Sequence, residues 1–169
     1  CRHTGEHDHM TSYQRLLVQH GLIILFLGLV GGFMLLFAVL GQISLSPIPL
    51  AFGYVIPGEP AQWRAVHVGN IMNGLMAIIF ALLIPMLTLS ERATRNIAIG
   101  LVCTIWGNAL FYIFGILTPN KGLSLGDNPV GEANWAAPIA FMPAFIVAFV
   151  LMVIVVVMLR NLPAADDTK

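Results

Sequence analysis

Charged side chains are what this sequence has least of. They make up 9% of its 169 residues, against 58% hydrophobic, where a soluble globular chain carries roughly 25% charged residues. Eight Lys and Arg balance eight Asp and Glu, so there is neither a solvating surface nor a basic patch that would meet nucleic acid. Cysteine is almost absent. Cys103 lies inside an apolar run and reads as a small core hydrophobe, and its pairing with Cys1 is not expected. No repeat of 20–50 residues appears. What remains is long unbroken apolar sequence, for which a lipid bilayer is the fitting solvent.

A helix needs roughly 20 apolar residues to cross about 30 Å of hydrocarbon. Spans are expected from about Leu17 to Leu40, Val66 to Leu89, Ile97 to Leu117 and Ala136 to Leu159. The first run is too long for a signal-peptide core and reads as a retained span. Breaks fall at Ser46-Pro47-Ile48-Pro49, Pro57-Gly58-Glu59-Pro60, Thr118-Pro119-Asn120-Lys121-Gly122 and Gly126-Asp127-Asn128-Pro129. The expected architecture is an all-α, integral membrane four-helix bundle over residues 16–160. A disordered leader is expected over 1–15, with Met10 the natural start, and a disordered tail over 161–169. Arg2, Arg15, Arg92, Arg95, Arg160 and Lys169 fall on one side of this four-span arrangement, Arg64 and Lys121 on the other. Basic residues collect in cytoplasmic loops, so both termini are expected in the cytoplasm and the chain in the inner membrane.

Polar groups inside a span are costly and mark function by default. They concentrate in the second and third spans. His67, Asn70, Asn73, Gly74 and Ala77 are expected on one broad face of the second. Thr104, Asn108, Tyr112 and Gly115 step by four and three along the third, which also carries Trp106. The helices run antiparallel, so Asn73 and Tyr112 are expected at a similar depth, with Asn108 slightly deeper. Asn70 serves helix packing equally well. Trp63 and Trp135 read as interfacial anchors, His20 as a hydrogen-bonded or solvated ring, and His3, His7 and His9 as part of the leader. One intramembrane His with amides and a Tyr suits a haem site, a proton relay or a polar-solute site. A single axial His leaves the opposite face of a haem iron open, which favours ligand activation over electron transfer.

His20-Gly21, Trp63-Arg64-Ala65-Val66-His67-Val68-Gly69 with Asn73-Gly74, Trp106-Gly107-Asn108 with Phe111-Tyr112, and the stretch from Pro119 to Gly126 together resemble the membrane-bound styrene oxide isomerases. The resemblance extends from about His20 to Leu159. It implies a homotrimer of four-span subunits with haem b, in the ferric state, between neighbours. It also implies isomerisation of lipophilic aryl epoxides such as styrene oxide to aldehydes such as phenylacetaldehyde, with the iron as Lewis acid. His67 falls on the axial ligand, and Asn73 and Tyr112 on the active-site pair. Asn108 and Trp106 join His67 as expected cofactor contacts, and Arg64 is a candidate for the propionates. One departure stands out: the family usually has an aspartate where this chain has Thr104. A hydroxyl supplies neither the charge nor the acceptor strength of a carboxylate. A haem-binding protein for sensing or electron transfer, and a haem-free small transporter, therefore remain as alternative readings.

Overall fold

The structure, a computed structural model, describes residues 10–164; Cys1, Arg2, His3, His7, His9 and Lys169 lie outside the described residues. Four helices are long and apolar enough to cross a membrane: α1 (Ser12–Leu40), α2 (Pro60–Leu83), α3 (Glu91–Gly115) and α4 (Ala136–Arg160). A short antiparallel hairpin, β1 (Ile43–Ser44) with β2 (Ala51–Phe52), lies between α1 and α2.

Local chemistry sets the helix ends and shifts several expected boundaries. α1 begins within the stretch expected to be leader, because Thr11 caps it. The Thr11 hydroxyl accepts from the Gln14 N–H at 3.3 Å, and the Gln14 side chain accepts from the Thr11 N–H at 2.9 Å. Gly41, at φ 64°, ends it in the left-handed conformation glycine adopts without strain. α2 starts earlier than expected, with Pro60 in its first turn, where a missing N–H costs nothing. It also stops earlier, since Pro85 cannot continue the hydrogen-bond ladder and residues Ile84–Met86 tighten into a 3₁₀ turn. Ser90 caps α3 through its hydroxyl, moving that start to Glu91.

The helices do not form a square bundle. α1 packs along α2, α3 contacts both of them, and α4 packs against α3. The α1–α2 seam is built on glycine. A Cβ at Gly21 would lie 2.9 Å from the Gly74 carbonyl oxygen, and one at Gly28 would lie 2.8 Å from the Ile71 nitrogen. Such backbone approach substitutes dispersion for the hydrophobic force that lipid does not provide. Leu17, Ala81, Ile97, Leu101 and Ile154 fill the layer near the α1 N-terminus, and Ile24, Ala77, Ile105 and Ala109 the middle. Cys103, expected in the core, is instead exposed on α3; its position on the helix turns it away from the buried Leu101–Ile105 side.

Candidate active site

His67 sits on α2 facing α1. Its Nδ1 is 2.8 Å from the Gly28 carbonyl oxygen. A carbonyl only accepts, so Nδ1 carries a proton and Nε2 is the ring nitrogen left to ligate. A backbone carbonyl holding one imidazole nitrogen so that the other is basic and oriented is the usual support of a metal-ligating histidine. The ring lies over Gly32, where a Cβ would stand 2.8 Å from Nδ1 and 2.9 Å from Cε1. Glycine at 32 is thus required by the ring's position.

Asn73 turns the other way. Six residues separate it from His67, which places it about 120° around the helix, and its Oδ1 accepts from Asn108 Nδ2 at 3.0 Å. The face expected to carry both residues is therefore divided: His67 belongs to the α1 side, Asn73 to the α3 side. Asn73 and Asn108 share a level. Tyr112 lies one turn nearer the α3 C-terminus, its ring pressed on Gly69, where a Cβ would come within 2.4 Å of Cζ. The expected common depth of Asn73 and Tyr112 is corrected accordingly, with Tyr112 opposite Gly69.

Trp106 is not brought to this cluster. Its indole N–H donates to His20 Nδ1 at 3.0 Å on the flank between α1 and α3, which also gives His20 its hydrogen bond. Thr104 is fully buried and donates to the Gly100 carbonyl at 2.8 Å, one turn back on its own helix. Asn70 is fully buried, and neither atom of its carboxamide meets a hydrogen-bond partner. Arg64 is exposed at the start of α2, and the Trp63 indole N–H donates to the Pro57 carbonyl at 2.9 Å.

Tyr112 stands in a cleft whose parts are cavities of about 220 Å³ toward α2 and about 330 Å³ toward α4, sharing Phe111, Tyr112 and Leu123. The loop between α3 and α4 roofs it. Asn120, fully buried, organises that loop by accepting from the Thr118 hydroxyl and the Gly122 N–H and donating to the Ser124 and Gly126 carbonyls. Two contacts tie the roof and the α3 terminus to α2. Lys121 pairs with Glu59 at 3.0 Å, and Gln62 Nε2 donates to the Gly115 carbonyl at 2.9 Å. Gly32, Phe141 and Phe145 went unremarked in the sequence, and Gly69 and Leu123 entered only within the stretches that carry the resemblance. Only the small-residue spacing Gly21, Gly28, Gly32 hinted at the glycine seam.

The fold and these polar positions define a multi-pass helical membrane protein with a hydrogen-bonded imidazole on one flank and a Tyr/Asn cleft on another. The model of the styrene oxide isomerase family matches residues 13–163, and the chain belongs to that family. It is 28% identical over 145 residues to the styrene-oxide isomerase of Pseudomonas fluorescens, with 83% of each chain covered.

Proposed function

We propose that this chain is a membrane-bound epoxide isomerase that binds haem b through His67 and converts aryl epoxides to aldehydes. The observation that carries the cofactor half of this reading is the His67–Gly28 hydrogen bond, which leaves Nε2 free to ligate. The Gly32 cradle fits the same role, since no side chain crowds the imidazole from that side. Haem, when bound in the ferric state, would supply a Lewis-acidic iron for the epoxide oxygen.

The protein's own residues account for the rest. In the conversion of styrene oxide the benzylic C–O bond breaks, one hydride moves from the neighbouring CH₂ carbon to the benzylic carbon, and the oxygen becomes the carbonyl. No atom or electron is gained or lost. Negative charge gathers on the oxygen, and Tyr112 O–H is the donor that meets it. Asn108 occupies Asn73 Oδ1, so the Asn73 Nδ2 hydrogens are those left to donate. Asn108 is thus a positioning residue. The apolar walls of the cleft keep water from trapping the electron-poor benzylic carbon as a diol.

His67 and Tyr112 lie on opposite sides of α2, which supports a site shared between copies: His67 from one, Tyr112 from the next. A head-to-tail contact of this kind closes into a ring, in keeping with a homotrimer. Arg15, Arg92, Arg95 and Arg160 all fall at the end of the bundle opposite Arg64 and Lys121, which supports cytoplasmic termini and an inner-membrane location.

The test is direct. Purified protein loaded with haem is expected to show a Soret band that His67→Ala abolishes, and to turn styrene oxide into phenylacetaldehyde without a reductant. Haem-loaded protein that yields no aldehyde from any aryl epoxide would sink the isomerase reading. Thr104, whose hydroxyl is satisfied within its own helix, favours a second reading in which haem serves sensing or electron transfer. Rapid reversible reduction without isomerase activity would support that one.

A further inference from the structure

The half of the cleft between α3 and α4 has a shape that the reaction alone does not require. Its lining is Asn108, Phe111, Tyr112, Leu123, Phe141, Ala144 and Phe145. Glycine contacts border it on two sides. On the loop side a Cβ at Gly122 would stand 2.6 Å from the Ala140 Cβ. On the far side a Cβ at Gly107 would stand 2.8 Å from Val147 Cγ2 and 3.3 Å from the Pro143 carbonyl oxygen. The loop therefore meets α4 at Ala140, and α3 meets α4 at Pro143 and Val147.

The walls are flat and aromatic. Phe141 and Phe145, one turn apart on α4, stack at 5.3 Å with 21° between their planes. Across from them Phe111 and Tyr112 meet edge to face at 5.5 Å. Ala144, the small residue just before Phe145 on α4, lines the same cavity. Tyr112 and Asn108 supply the polar groups at the α3 side. A cavity of about 330 Å³ has room for a phenyl ring with a two-carbon side chain.

The geometry points to this slot as the subsite that receives the aryl ring, with Phe141 and Phe145 as its wall and Ala144 as the small residue that leaves room beside them. This assignment rests on the epoxide-isomerase reading and adds the residues that select the substrate. Aromatic faces prefer offset or edge-on contact with another ring. Such contact holds the ring while its polar side chain points toward Tyr112.

The experiment uses the haem-loaded full chain in lipid nanodiscs and two readouts. One is turnover of styrene oxide and the bulkier 2-naphthyl oxirane. The other is direct binding of 2-phenylethanol, an unreactive aryl alcohol. Ala144→Phe is expected to weaken 2-phenylethanol binding and raise the styrene oxide KM by about tenfold, with an unchanged haem spectrum. Phe145→Ala is expected to shift the kcat/KM ratio toward the naphthyl substrate by about fivefold. If Ala144→Phe does not fold, Ala144→Leu takes its place. Variants that bind haem and 2-phenylethanol as the parent does, with an unmoved substrate ratio, overturn the assignment. Loss of aryl-alcohol binding in Ala144→Phe, from a parent that isomerises no epoxide, would leave the slot standing and refute the isomerase reading alone.

Discussion

His67 and Tyr112 lie at nearly the same depth on opposite sides of α2: the Tyr112 ring rests on Gly69, only two residues from His67 along the helix but about 200° around it. The imidazole is held from α1 by the Gly28 carbonyl, and the phenol stands in the cleft toward α4. A helix about 10 Å across separates them. Under the proposed reading, a reacting centre touched by both would lie between two copies of the chain.

That arrangement predicts complementation. His67→Ala and Tyr112→Phe copies should each be inactive or slow alone. Mixed in one membrane, a head-to-tail ring pairs an intact His67 with an intact Tyr112 at about a quarter of its sites. Coexpression followed by an aldehyde assay should therefore recover about that fraction of parent activity. Recovery no greater than the summed activities of the separate variants would place both residues in one subunit's site.

Gly32 is expected to matter through the imidazole. Gly32→Ala puts a methyl against Nδ1 and Cε1 and must turn the ring or part α1 from α2. Haem titration should show about tenfold weaker binding, as for other losses of ligand support. The neighbouring exposed Phe33 provides a control, since Phe33→Leu should leave the titration unchanged.

Tyr112→Phe removes one donor and leaves the ring's packing on Gly69 intact. It should load haem normally and lose about 100-fold in kcat. Asn108→Ala releases Asn73 Oδ1 and lets the amide rotate, so a smaller loss of about tenfold is expected, with KM little changed. Comparing the two by steady-state kinetics separates a donor from the residue that aims one.

Asn70 and Asn120 are both fully buried yet should respond oppositely to substitution. Asn120 bonds to four groups of its loop, so Asn120→Ala should cost about 2–4 kcal/mol. Asn70 bonds to none among the described residues, so Asn70→Leu, which keeps the branching at Cγ, should leave stability unchanged or raise it. Thermal unfolding in one detergent tests both. Marked destabilisation by Asn70→Leu would mean that its amide is bonded in the assembled protein.

Much of the site's residue list was legible in the chain, because an imidazole, amides and a phenol stand out in apolar sequence. Their directions were less so. Helical periodicity relates side chains on one helix, but cannot say which neighbour each meets. His67 and Asn73 seemed to share a face until α1 and α3 came to occupy different sides of α2. The wall of Phe141 and Phe145 was hidden for the opposite reason: in a membrane span phenylalanine looks like every other lipid-facing residue.

By itself the sequence determined the solvent, the spans and the unusual polar positions, since apolar length and the cost of buried polarity are local properties of the chain. Packing decided the rest. Gly28 and Gly32 let α1 come close enough to hold the His67 ring, and Gly69 let Tyr112 lie against α2. Gly107 let α3 meet α4 at Pro143 and Val147, and Gly122 let the loop settle on Ala140. Each depends on how near two backbones approach, which no spacing within one helix encodes.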